Sequence, residues 1–408
     1  MSRLTREQRA FLEMTAAYLQ NKTWQGTAFQ GSLRELILLS QNHKLSPAVF
    51  ESIRRAAHFA DSLNDPLWQQ WRREVLTSVL GQQEREKAFW TVYGALLEAG
   101  VKPLVVKGIL CRSLYRKPDY RISADEDLVV TKEQFSDCDR ELVRLGFRRQ
   151  EFSGIPYELG YKNPQNGLYF EVHTALFDPE SKVFGPLNSY FQKAIGEPAE
   201  FHICEKKIFS LDCTGHFLYL ILHSYKHFLY SGFGVRQVCD MVRMAQEWKE
   251  RIDWQFISAS LNKLRLEAFF RIVLGVAAGY LEASGLAEEL SAKTGISFET
   301  SEGYYEEVAE DILKGGIYGS SSTGRLHSAH ITLAAMEGKD GIAKGLFPPR
   351  DSMERQYAFV KKSLLLLPLA YLLRIGGYIQ KRLKANQESS LSLGRRRVAM
   401  MKKYGIIK

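Results

Sequence analysis

Apolar residues recur at helical spacing through the first hundred positions. Arg6 to Leu19, Leu33 to Ser40, Pro47 to Asn64 and Trp68 to Leu97 each set apolar side chains three and four apart, which predicts four amphipathic helices and no strand before Gly100. The pattern then shortens. Val101 to Val106 reads as a buried strand, Lys107-Gly108 as a tight turn, and Ile109 to Tyr115 as a helix whose first amides face outward, the kind of helix start that attracts phosphate. A strand from Asp125 to Val130 follows, then an amphipathic helix from Lys132 to Leu145 closed by Gly146, and strands at Tyr157 to Tyr161 and Leu168 to Ala175. Thr214 to Glu282 returns to helical spacing, and Lys314 to Gly324, rich in Gly and Ser, reads as an irregular loop, either a plain connection or a mobile lid. The implied class is α+β: a small mixed β-sheet core over residues 101–210, an α-helical region over 1–100, another over 211–349 with the loop near 314–324, and a distinct segment over 350–408.

The central segment also carries the candidate chemistry. Side chains at i and i+2 of a strand share a face, so Asp125 and Asp127 converge while Glu126 points away. Two such carboxylates can share a metal ion. Glu171, alone between Phe170 and Val172, is a candidate third ligand, because Mg²⁺ prefers carboxylate oxygens and substrate phosphates. Three acids on neighbouring strands are costly to hold together without a cation, whereas a solvated strand end would need none. Lys107 is placed to meet a β- or γ-phosphate, or is a surface lysine at a turn. Arg121 either clamps phosphate bidentately or pairs with an acid of this cluster, and either role places it at the site. His173, two residues after Glu171, shares its face and could orient a carboxylate, move a proton, or simply be buried.

Those residues carry a resemblance. Lys107-Gly108, Arg121, the run Asp125-Glu126-Asp127-Leu128-Val129-Val130 and Glu171-Val172-His173 resemble the uncharacterised nucleotidyltransferase family of the DNA polymerase β-like superfamily. The likeness extends to His223, Lys226-His227, Arg236, Asp240, Phe347-Pro348-Pro349 and Leu367-Pro368. It implies a nucleotidyltransferase core in which Gly108 belongs to the turn that holds a nucleoside triphosphate and Asp125, Asp127 and Glu171 bind the catalytic metal, Mg²⁺ or Mn²⁺. It also implies transfer of a nucleoside monophosphate from the triphosphate to a hydroxyl of an acceptor. The chain has Lys107-Gly108 where better-known superfamily members carry Gly-Ser or Gly-Gly, and Glu126 where the family pattern is usually apolar. A non-catalytic nucleotide-binding accessory protein and an RNA-modifying or RNA-binding protein are the competing readings.

Beyond the core, His216, His223, Lys226 and His227 form a second cluster, in which His223 and His227 stand one turn apart as in zinc proteases, but Ser224 occupies the place of the glutamate such a motif needs. Lys226 and His227 are better read as a basic face meeting phosphates, with Arg236 pairing with Asp240 one turn on. The net charge of +9 comes from the C-terminal end, where residues 350–408 hold 14 Lys and Arg against 3 Asp and Glu. That basic amphipathic segment suits a peripheral contact with anionic membrane, a nucleic-acid contact, or packing on the body with a solvated tail. Its longest uncharged apolar run, Leu364 to Leu373, is too short to span a bilayer, which takes ~20 residues. The five cysteines lack zinc or Cys-x-x-Cys spacing, and no apolar signal region follows the charged start of the chain, so a cytoplasmic protein with reduced thiols is expected.

Overall fold

The computed structural model describes residues 3–26, 29, 31–56, 65–150, 157–229, 232–301, 303–317, 350, 353, 357, 360, 366–373 and 390–407. Four helices come first: α1 (Arg6–Leu19), α2 (Leu33–Asn42), α3 (Ser46–Arg55) and α4 (Pro66–Glu98). The core follows as β1 (Leu104–Val106), α5 (Gly108–Ser113), β2 (Glu126–Val129), α6 (Lys132–Arg144), β3 (Arg148–Gln150), β4 (Glu158–Lys162), β5 (Tyr169–His173), α7 (Gln192–Gly196), β6 (Ala199–Ile203) and β7 (Lys206–Ser210). Helices α8 (Cys213–Leu229), α9 (Val235–Glu247), α10 (Trp254–Leu264), α11 (Glu267–Tyr280), α12 (Ser284–Thr294) and α13 (Glu306–Gly315) come next, and α14 (Ser390–Lys403) lies near the end. The fold is therefore α+β, with one mixed sheet among helices.

The seven strands are ordered β3-β4-β5-β2-β1-β7-β6. β1 runs antiparallel to β2 and parallel to β7, and β2 runs parallel to β5. Strand alternation divides the apolar side chains between two cores. Val105, Leu128, Phe170, Val172 and Ile208 pack with Phe89, Val92 and Leu96 of α4 and Leu142 of α6. Leu104, Val106 and Val129 join the larger core with α5, α8 and α9. Since Asp127 shares the face of Val129, it is directed toward the helices of this second core.

Helix α4 links both cores. Asp65 caps it by accepting from the Leu67 amide at 2.8 Å, Pro66 fits its first turn, and at 33 residues it is ~50 Å long. Its first half buries Trp68 and Trp71 against Phe50 of α3, and its second half lies under the sheet. Near its end the Tyr93 hydroxyl donates to the Pro103 carbonyl and accepts from the Phe209 amide, each at 2.9 Å, fixing the entry to β1 beside β7.

Several elements depart from the sequence expectation. The helix expected to reach Asn64 ends at Arg55, where Ala56 turns extended, and residues 57–64 lie outside the described ones. Lys314 and Gly315 close α13 instead of opening a loop, while residues 318–324 and Phe347-Pro348-Pro349 lie outside the described residues. β3, β6 and β7 were not expected, because the exposed Arg148-Arg149 and the charge-rich Lys206-Lys207 dilute the alternation that marks a strand. At the C-terminus α14 packs on the body. Arg397 is buried, donating from Nε to Asp311 at 3.3 Å and from Nη2 to the Phe228 carbonyl, and Met400, Met401, Ile406 and Ile407 join the main core. Among the described residues no helix is long and apolar enough to cross a membrane.

Candidate active site

The turn between β1 and α5 has an unusual backbone. Lys107 adopts φ 57° and ψ −120°, and Gly108 follows at φ 32°. Positive φ is costly for a residue with a side chain, so Lys107 must be held by its surroundings. Its amide donates to His216 Nε2 at 3.1 Å, and His216 Nδ1 lies 3.1 Å from the Ser210 hydroxyl at the end of β7. Its ammonium lies 3.0 Å from Asp127 Oδ2 and 3.1 Å from His223 Nε2. Lys107 is thus drawn into the acidic cluster.

The start of α5 corrects one expectation. Its first amides do not all face outward, because the Ile109 N–H donates to Glu126 Oε2 at 2.8 Å. Glu126 is 3% exposed and also pairs with Arg112, which is 1% exposed and donates to the Ser123 hydroxyl at 2.6 Å. The residue between the two aspartates therefore points away from them, as strand geometry requires, and supplies the helix start with its own anion. Gly108 lies close above it: a Cβ built there would stand 1.9 Å from Glu126 Oε2. Gly108→Ala combines that collision with a positive φ and is expected to destabilise the fold by about 2–3 kcal/mol, measurable by urea unfolding.

The parallel pairing of β2 and β5 brings the other groups together. Asp127 stands in register with Glu171, and Val129 with His173. One ligand atom each from Asp127, Glu171 and His173 lies within 4.8 Å of the others. His173 Nε2 is 3.3 Å from Asp127 Oδ1 and 3.8 Å from Glu171 Oε2. Asp125 stands just before β2, half-buried, outside this three-residue group but lining the same cleft as Lys107, Gly108, Asp127, His223, His227 and Arg236. Two carboxylates and an imidazole fit a divalent cation.

Crowding drives these acids apart in acidity. Burial raises the Asp127 carboxyl, but the Lys107 ammonium and His173 outweigh it and hold the group well below the usual carboxylate range. Burial and then the Asp127 charge raise Asp125. Burial, Asp127 and Asp125 push Glu171 up to about 8. The sign of the consequence follows from proton counting. Between the ordinary glutamate value and about 8 the folded protein holds a proton on Glu171 that the unfolded chain has released, so stability falls as pH rises through that window. Metal-free protein is expected to lose melting temperature from pH 5 to 8, and Glu171→Gln to flatten that slope.

Across the cleft, α8 presents His223, Lys226 and His227. The two imidazole rings are 4.4 Å apart, and burial, reinforced by Lys107, lowers both, His227 to about 3, so both are neutral at physiological pH. Burial also lowers Lys226, with Glu158 opposing. Arg121 and Asp240 form a pair the sequence did not foresee. Arg121 donates to both Asp240 oxygens, at 2.6 and 2.8 Å, and to the Gly108 carbonyl at 3.3 Å, while Tyr115 donates to Asp240 at 2.7 Å. The acid that Arg121 meets is Asp240, not one of the expected cluster of Asp125, Asp127 and Glu171, and its bidentate face is occupied there. Arg236 does not take Asp240 in a hydrogen bond; it donates to the Ile122 carbonyl. Its reach across to the β2 approach leaves Asp240 to the nearer guanidinium.

An aspartate on β2 with another just before it, a glycine turn ahead of both and a third acid on the adjacent parallel strand form one arrangement, and the sequence match covers it. The chain belongs to the uncharacterised nucleotidyltransferase family. That family's model matches residues 32–282, from the start of α2 to the end of α11. No curated protein and no solved structure matches the chain. All the site residues described above lie within the matched span. Two site features have roles that the sequence does not reveal: Glu158, which faces His173 across β4 and β5, and His216, a member of the second cluster whose ring holds the Lys107 amide. Glu158 was detectable in principle as a lone acid at the start of an expected strand, but its partner depends on strand register.

Proposed function

We propose that this protein is a divalent-metal-dependent enzyme that transfers a nucleoside monophosphate from a nucleoside triphosphate to a hydroxyl of its acceptor. The observation that carries this reading is the convergence of Asp127, Glu171 and His173, with Lys107 on Asp127, within the span of the family match. A cation held by these residues would supply a Lewis acid for the acceptor hydroxyl and the triphosphate. The chain's own groups do the rest. Asp125 and Asp127 set the negative charge that recruits the cation, with Mg²⁺ or Mn²⁺ as the suited ions. Lys107 and Lys226 border the acids from two sides and offer ammonium groups to phosphate oxygens. His227, neutral and half-buried, is suited to accept or donate a hydrogen bond rather than to contribute charge.

The accessory-binding reading keeps one observation in its favour, because Glu126 already occupies the Ile109 amide that a phosphate would otherwise meet. Label transfer separates the two. Purified protein with Mg²⁺ or Mn²⁺ and each α-labelled nucleoside triphosphate is offered to fractionated cell extract, alongside the Asp125→Asn/Asp127→Asn protein. A labelled acceptor formed only by the unmodified protein is the expected result. Metal-dependent nucleotide binding without any labelled product would favour the accessory role.

A further inference from the structure

The imidazole of His173 sits between carboxylates on both of its nitrogens. Nε2 faces Asp127 Oδ1 at 3.3 Å and Glu171 Oε2 at 3.8 Å, while Nδ1 lies 3.4 Å from Glu158 Oε2. Antiparallel pairing of β4 and β5 puts Glu158 directly opposite His173, so this contact is built into the sheet register. Only 9% of His173 is exposed, which leaves the ring little freedom to turn away.

A neutral imidazole donates from one nitrogen and accepts at the other. In the metal-free protein Nε2 hydrogen-bonds Asp127 Oδ1, and Nδ1, although 3.4 Å from Glu158 Oε2, is buried without a hydrogen bond; in the other tautomer Nδ1–H is given to Glu158 and the Nε2 lone pair is turned to the two carboxylates. A cation among the three ligand atoms favours that second tautomer, since it takes up the Nε2 lone pair and leaves the buried Nδ1 a proton to donate to Glu158. The spacing suits one, since ligand atoms about 2.1 Å from an octahedral ion stand about 3 Å apart when adjacent. Asp127 is also divided appropriately. Its Oδ2 pairs with Lys107, and its Oδ1 is the oxygen turned toward His173. A carboxylate that holds the far nitrogen of a metal-ligating histidine is the common way to fix the tautomer and the ring orientation.

We infer that His173, oriented by Glu158, is a nitrogen ligand of the metal at this site, completing a set of two carboxylates and one imidazole that favours Mn²⁺ over Mg²⁺. This rests on the metal-dependent reading proposed above. Mg²⁺ is a hard ion that selects oxygen, whereas an imidazole donor shifts relative affinity toward the transition metal. Glu158 touches neither ion nor substrate and is a positioning residue.

The test is Mn²⁺ binding to the nucleotide-free full chain, read by electron paramagnetic resonance titration and by electron spin echo modulation from ¹⁴N. The wild-type protein is expected to bind Mn²⁺ at least about tenfold tighter than Mg²⁺ in competition and to show nitrogen modulation. His173→Asp should still bind Mn²⁺, lose the modulation and narrow the preference for Mn²⁺. Glu158→Gln should keep the modulation and weaken Mn²⁺ binding by about 10–100-fold. Mn²⁺ bound without nitrogen modulation in the wild-type protein would overturn the inference and leave the metal-dependent reading standing. Modulation that persists in His173→Asp would also overturn it, by assigning the nitrogen to another histidine. Absence of Mn²⁺ binding altogether would sink both. Should His173→Asp fail to fold, the wild-type spectrum and the Glu158→Gln titration still decide.

Discussion

Asp127→Asn is expected to lower nucleotidyl transfer by about 10³-fold or more, a loss of at least ~4 kcal/mol of transition-state stabilisation at 1.4 kcal/mol per tenfold. Asp127 is the residue on which the cluster converges: one oxygen meets Lys107, the other meets His173, and Glu171 stands beside it in register. An amide keeps the shape but not the charge that attracts a cation. The fold should survive. The Lys107 ion pair is lost, but Asp125 and Glu171, both raised in part by the Asp127 charge, are relieved of repulsion. Circular dichroism and melting temperature of Asp127→Asn should therefore stay close to wild type while single-turnover transfer disappears. Full turnover in a folded variant would remove the metal assignment.

The second large effect concerns the other face of β2. Glu126→Leu is expected to destabilise the protein by about 3–5 kcal/mol, because it leaves the fully buried Arg112 without its carboxylate. It also removes the acceptor of the Ile109 amide. Adding Arg112→Met should recover most of the loss, since replacing a whole buried ion pair with apolar side chains is often neutral or stabilising. Urea unfolding of the two single variants and the double variant closes the cycle. Additive losses in the double variant would show that the two residues do not depend on each other.

What could be read in advance differs between these two faces. The turn at Lys107-Gly108, the Asp125 and Asp127 pair and Glu171 were legible because turn chemistry and the two-residue strand period act locally. Arg121 with Asp240, Arg112 with Glu126 and His173 with Glu158 were not. Those partners are 119, 14 and 15 residues apart in the chain, and nothing local encodes which guanidinium or ring meets which acid. His216 illustrates the same limit. The helical run marks it as one of a cluster with His223, Lys226 and His227 but gives it no partner, and only the approach of α8 to the end of β1 makes its ring the support of a strained lysine backbone.

By itself the sequence determined the alternation of helical and extended segments, the α+β class, the family resemblance and the positions of the candidate acids, all properties of short-range periodicity and residue type. The tertiary structure decided which of those acids share an ion-sized space. It brought His173 to Asp127 and Glu171, turned Glu126 into the internal anion of α5, and committed Arg121 to Asp240. The reason is strand register and helix packing: both bring distant side chains within a few ångströms, and a shift of one residue in either would send each charge to a different partner.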